Sequence, residues 1–172
     1  MSDAEAYVRR LDAVAERLAA HAGDSANDAL TSPDATTGER WERGQVWAHL
    51  AEFVPYWIEQ ARFVIAAGDA GPVPFGRTKR DEGRIAAIER DRGQPASVLW
   101  SDTHAGIEEL RTFLLGLDHT AWEARGLHPT LGIMSMGRIV DEFLVGHLEE
   151  HADQLDELRQ AGGADEGGAP AT

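Results

Sequence analysis

MGRIVDEFLVGHLEEHADQLDELRQ, residues 136–160, reads as one long helix, and its apolar spacing decides the fold. Ile139, Phe143, His147, His151 and Leu155 recur at every fourth position, with Val140, Leu144 and Leu148 in the adjacent row. Side chains four apart share a helix face, about 6 Å apart along the axis. Two histidines therefore stand in the stripe that must be buried against other elements. Ser135 is placed to cap this helix.

Working outward, three more long segments carry the same periodicity. Tyr7, Val8, Leu11, Val14 and Leu18 predict a helix over 3–21. A second helix is expected over about 41–67, with Thr36 and Glu39 at capping-box spacing before it and Pro55 inside it, where a kink or loosened hydrogen bonding is expected. A third is expected over 95–116, carried by Leu99, Ile107, Leu110 and Leu114. Residues 81–92 read as one short, charged extra helix, and 23–40, 68–80 and 117–134 as loops. No stretch alternates as a strand should. The fold class is all-α: a four-helix bundle with a long crossover after the second long helix. Residues 1–160 form its single domain, and 161–172, with little to bury, are expected to be a disordered tail.

The 172 residues suffice for one domain with a core, at 42% hydrophobic and 27% charged residues. The absence of cysteine excludes disulfides, thiolate ligands and a cysteine nucleophile. The net charge of −14, with Arg and Lys scattered among acids, argues against nucleic acid and anionic membranes as partners. No apolar run is long enough to span a membrane and no signal peptide is visible, so a cytoplasmic location is expected.

Two imidazoles four apart on one helix can converge on one ion. GQVWAHLAEFVPYW, residues 44–57, offers a third: His49 shares a row with Phe53 and Trp57 and points toward the core. His49, His147 and His151 together would leave coordination positions open, an arrangement suited to zinc and also to nickel, iron or copper. The spacing alone leaves open a second reading, in which each is a core histidine satisfied by one hydrogen bond. His104 lies at the edge of the third helix's stripe, while His21, His119 and His128 occupy a helix end and a loop. HLEEH also matches the inverzincin protease pattern H-x-x-E-H, but only a short tail follows, so a protease is not expected.

At Trp41-x-x-x-x-Val46-x-x-His49-Leu50, at His128-Pro129-Thr130-Leu131-Gly132, and at His147-x-x-x-His151 followed by Ala152, Asp153, Gln154 and Leu155, the chain resembles the DinB/YfiT-like superfamily over about 5–160. The resemblance implies a bundle with a crossover after the second helix. It also implies a divalent metal ion, zinc or nickel, held by His49, His147 and His151, and by analogy a homodimer. Some relatives look like transferases or isomerases dependent on a low-molecular-weight thiol, others like metal-dependent hydrolases. The Ala-, Arg- and Gly-heavy composition points to a high-GC source and so to mycothiol.

The leading expectation is an enzyme that uses the three-histidine metal to activate a thiol or water against a small-molecule substrate, in the manner of a thiol S-transferase. The alternatives are a hydrolase and a non-enzymatic metal or small-ligand binding bundle. Glu52, three residues after His49, is a candidate proton acceptor or orienting group, against a plain surface carboxylate. Arg138 is a candidate partner for a cofactor carboxylate, against a surface ion pair.

Overall fold

The computed structural model describes residues 3–25 and 28–166. The helices are α1 (Asp3–His21), α2 (Arg43–Ala66), α3 (Glu82–Asp91), α4 (Ala96–Leu115), α5 (His119–Glu123), α6 (Met136–Phe143) and α7 (Val145–Glu166). The strands are β1 (Val73–Pro74), β2 (Arg125–His128) and β3 (Gly132–Ser135). The chain is mostly helical, as its periodicity dictates, and the four expected long helices are all present.

Cross-contacts fix their directions. Trp47 meets Trp100, and Arg62 reaches Glu109 at 2.8 Å, so α2 and α4 advance together. Tyr7 bonds Asp141 at 3.0 Å and Arg17 bonds Asp153 at 2.6 Å, so α1 runs parallel to α6–α7. His49 meets His147 while Trp57 stacks on Phe143, so α2 and α7 are antiparallel. The order around the bundle is α1, α4, α2, α7. Parallel neighbours α2 and α4 cannot be joined by a short turn. The connection must return the full length of α2, whose 24 residues span about 36 Å. That is why a long crossover follows α2, and it carries β1 and α3, the latter packed on α2.

The stripes meet in one core that includes Leu11, Leu18, Leu50, Phe53, Ile107, Leu110, Leu148 and Leu155, each at 0% exposure. No helix among the described residues is long and apolar enough to cross a membrane.

Several expectations are corrected. The Thr36–Glu39 capping box does not form. Thr37 turns its hydroxyl to Asp34, and α2 starts later, with the Gln45 side chain accepting from the Glu42 N–H at 3.1 Å. Trp41 precedes α2 and is pinned by two bonds to Thr31, each 2.9 Å. Pro55 lies inside α2, as expected. The last long helix is broken at Leu144 (φ −125°, ψ −91°) into α6 and α7. The break needs glycine at 146, where a Cβ would lie 2.2 Å from the Asp141 carbonyl oxygen. Helix α7 then continues to Glu166, past the glycines where a tail was expected, while 167–172 lie outside the described residues.

The loop at 117–134 contains α5 and most of a β-hairpin, in which His128 pairs with Gly132 across the Pro129–Leu131 turn. β1 joins β2 in parallel, tying the crossover to this hairpin. Strands of two to four residues are too short to leave a periodic signal.

Candidate metal centre

His49 is carried by α2, and His147 and His151 by successive turns of α7. Because α2 and α7 are antiparallel neighbours, the three imidazoles meet at one level. The His147 Nε2 lies 3.2 Å from His49 Nε2 and 3.1 Å from His151 Nε2. One ligand atom from each residue lies within 4.8 Å of the others. His49 and His151 are each 3% exposed, whereas the side chain of His147 is 22% exposed and faces the opening.

The opposite nitrogen of every ring is held by the residue three positions on. His49 Nδ1 meets Glu52 Oε1 at 3.0 Å, His147 Nδ1 meets Glu150 Oε2 at 3.2 Å, and His151 Nδ1 meets Gln154 Oε1 at 2.8 Å. Carboxylate and amide oxygens accept, so each Nδ1 carries the proton and donates. Each Nε2 is then left with a lone pair, and all three lone pairs converge. Without a cation this is a repulsive cluster. With one it is a ligand set whose orienting hydrogen bonds are already made. Two nitrogens about 2.0–2.1 Å from one ion stand about 2.9 Å apart at a right angle and about 3.3 Å apart at the tetrahedral angle. The observed separations, 3.1 and 3.2 Å, fall between these values.

The surroundings hold the rings in place and keep His49 and His151 neutral. Trp41 stacks on His151 with 5° between planes, and Phe53 closes the inner side, 4.7 Å from His147. Burial drives the pKa of His49 well below the ordinary imidazole value and that of His151 down to about 3, with charge on the neighbouring histidines adding to both shifts. In the unfolded chain both would titrate near 6.5. Between the folded and unfolded values the unfolded chain binds more protons, so metal-free protein loses stability as pH falls below about 6.5, by up to ~1.4 kcal/mol per unit for each buried ring. Urea unfolding of metal-stripped protein should show a loss of about 2–3 kcal/mol between pH 7.5 and 5.5. A His49→Gln, His151→Gln double variant should flatten that slope, and an unchanged slope in the double variant would refute this assignment.

The centre opens into a cavity of about 860 Å³. Its lining includes Trp57, His128 and Phe143 and a wall of crossover residues, Arg77, Thr78, Lys79, Arg80 and Arg84. Gly76 starts that wall. Its φ is +80°, and a Cβ there would lie 2.8 Å from the His128 ring and 2.9 Å from Trp57, so any other residue would displace Arg77.

Glu52 does not line the cavity. It sits behind His49, held by Arg77 Nη2 at 2.6 Å to each oxygen, and that guanidinium lies 3.8 Å over the Tyr56 ring. Burial raises the Glu52 pKa against the opposing pull of Arg77. Arg138 is exposed at the first turn of α6, where Ser135 caps its N–H at 3.4 Å, and it is not part of the cavity wall. Of the other histidines, His104 packs against Trp100, and His21 is buried between Asp24 and Asp156.

Sequence reasoning missed the role of His128, which it named only as a loop histidine and as part of the resemblance. It is 4% exposed, donates Nε2–H to the Arg77 carbonyl at 3.2 Å, and accepts at Nδ1 from the Thr130 and Leu131 N–H groups. Its role is to tie the hairpin to the crossover. Gln154 was missed as well, although the repeated His-x-x-acceptor spacing marks it.

No protein-family model matches the sequence, and no curated protein matches it. Solved structures do match. YfiT from Bacillus subtilis, described as a probable metal-dependent hydrolase with an unusual four-helix bundle topology, superposes with a TM-score of 0.74 at 16% identity, covering 95% of this chain and 90% of that one. A mycothiol-dependent maleylpyruvate isomerase superposes with a TM-score of 0.66 at 12% identity over 90% of this chain, which spans only 61% of that protein. At such low identity the likeness speaks for architecture alone: this chain has the four-helix-bundle fold that YfiT shows.

Proposed function

We propose that the protein is a divalent-metal-dependent enzyme that activates an external thiol to form a carbon–sulfur bond with an electrophilic small molecule. The thiol proton passes to a carboxylate, and the substrate either takes up the electron pair by addition or releases a leaving group. The observation that carries this reading is the convergence of three Nε2 lone pairs, each fixed by a bond at Nδ1, at the base of a cavity of about 860 Å³. That volume is near the upper end of small-molecule sites and has room for two ligands. With no cysteine in the chain, a thiol nucleophile must come from solution.

A bound zinc or nickel ion, or iron, would supply Lewis acidity that lowers the pKa of a thiol or water beside it. The chain's own residues do the rest. Glu52, Glu150 and Gln154 hold the three Nδ1 protons and so aim the Nε2 lone pairs. Arg77 fixes Glu52 in turn. Phe53 excludes water from the inner side of the rings, and Trp41 covers His151 from the cavity side. Glu150 lines the cavity, and its bond from His147 keeps its pKa below the ordinary carboxylate value. It is therefore ionised at neutral pH, and we assign it as acceptor of the proton released when the nucleophile forms. Glu52, turned away from the cavity, orients His49.

The isomerase of the same fold uses mycothiol by its description, and we take mycothiol as the first thiol to try. The description of YfiT as a probable hydrolase favours water as the alternative nucleophile. The test is a panel of electrophiles offered to metal-loaded protein with mycothiol, bacillithiol or glutathione, beside a control without thiol. Turnover that needs both thiol and metal, and that stops on chelation, is expected. Turnover only in the control would replace transfer by hydrolysis, and none at all would leave a binding protein.

A further inference from the structure

The basic residues of the crossover wall are not equivalent. Arg77 is committed to Glu52, and Lys79 to Asp34 at 2.6 Å. Arg80 is exposed at the rim. Arg84 differs from all of these. It is half-buried, it lines the cavity, and its guanidinium lies 5.2 Å from the Trp41 ring centroid. Its one side-chain bond among the described residues is to the Lys79 carbonyl, at 3.0 Å, and no carboxylate among them lies within 4.0 Å of it. A guanidinium has five N–H donors and always carries its charge, so most of the donors of Arg84 are unspent, and its charge meets Glu52, Glu39 and Asp34 only from beyond ion-pair range. Burial also works against that charge, lowering the Arg84 pKa. Leaving a partly desolvated cation unpaired in a cavity is unfavourable unless an anion from outside completes it.

We propose that Arg84 anchors a single carboxylate of the substrate, so that the three-histidine centre acts on a small organic acid whose carboxylate lies against the crossover wall while its other end faces the histidines. Trp41 supports this layout, because one residue carries both the Arg84 guanidinium and the His151 ring. The charge of the wall argues for a monoanion. Asp34, Glu39, Glu142 and Glu150 also line the cavity, against Arg77, Lys79, Arg80 and Arg84. A phosphate dianion would therefore meet one free buried cation among several carboxylates, whereas a carboxylate matches the planar fork with a single charge.

The inference rests on the metal reading, and the test separates the two. Cobalt-loaded protein is titrated with mercaptopropionate and mercaptohexanoate, with the matched mercapto-alcohols, and with a phosphorylated mercapto-alcohol. Thiolate-to-cobalt absorption reports the metal end of every probe. For the better-fitting chain length, the acid should bind about tenfold to hundredfold more tightly than the alcohol. Arg84→Gln should erase that advantage and leave the alcohol's affinity unchanged, and Arg84→Lys should keep part of it. Should Arg84→Gln fail to fold, Arg84→Lys carries the comparison: an undiminished preference for acid would overturn the assignment. Equal binding of acid and alcohol by the wild type would overturn it too, and tighter binding of the phosphorylated probe would overturn the monoanion. If protein that holds cobalt shows no absorption change with any thiol, the thiol reading fails, whereas protein that takes up no cobalt defeats the metal reading itself.

Discussion

Replacing His147 with alanine abolishes the rise in Tm that zinc or nickel gives the wild-type protein. Its Nε2 is the one within 3.2 Å of both other imidazoles, so its loss leaves two ligands on a site that needs three. A ligand that binds only the folded state stabilises by about 4.1 kcal/mol at a thousandfold excess over Kd. For a chain of this size each kcal/mol moves Tm by about 2–4 °C, so the wild-type shift should be about 8–16 °C. The variant should fold without metal, because the side chain is already 22% exposed and its truncation opens little of the core. Scanning calorimetry or a thermal-shift assay with and without metal reads the difference. A variant that keeps the full shift shows that His147 is not a ligand.

Changing Glu52 to alanine has the second large effect, and it appears in two quantities. Arg77 and Glu52 are both nearly buried, at 11% and 12% side-chain exposure, and removing one partner strands the other's charge. Such a loss costs about 3–5 kcal/mol of stability. The His49 ring also loses the acceptor that fixes its Nδ1 proton, which weakens metal affinity by about 10–100-fold. Glu52→Gln keeps an oxygen for His49 and loses the charge facing Arg77, so it should retain more of the metal affinity than alanine does. Competition against a chelator measures the affinity. A variant with wild-type metal affinity and a lower rate would make Glu52 a proton acceptor instead of an orienting group.

The legible part of this molecule is what helical periodicity governs. Ile139, Phe143, His147, His151 and Leu155 show their common face in the sequence, and so do His49, Phe53 and Trp57. The long crossover is legible as chain length, and its necessity appears only once Trp47 is seen against Trp100, which makes α2 and α4 parallel. What stayed hidden depends on pairing between distant residues. The hairpin strands are four residues each, and their partners across the sheet, not their own pattern, define them. The break at Leu144 rests on the contact of Gly146 with the Asp141 carbonyl, which no propensity registers. Arg84 looks like any helix-surface arginine in the sequence. Only the fold sets it over Trp41 with no carboxylate of the described residues in ion-pair range. Arg138 is a candidate by its place near the start of the last expected helix, and the first turn of α6 does not line the cavity. The His-x-x-acceptor spacing at 49–52, 147–150 and 151–154 is visible in the sequence, and residues three apart are neighbours on a helix, but only the fold shows that each acceptor is spent on the Nδ1 of its histidine.

The central claim is that His49, His147 and His151 share one metal ion through their Nε2 atoms. X-ray absorption at the zinc edge, on tag-free protein carrying one equivalent of zinc, tests it most directly. The account requires tight one-to-one binding and a shell with three imidazole nitrogens at about 2.0–2.1 Å, completed by light atoms from solvent. Fewer than three imidazoles in that shell, a carboxylate-dominated shell, or an ion that washes out on desalting would contradict it.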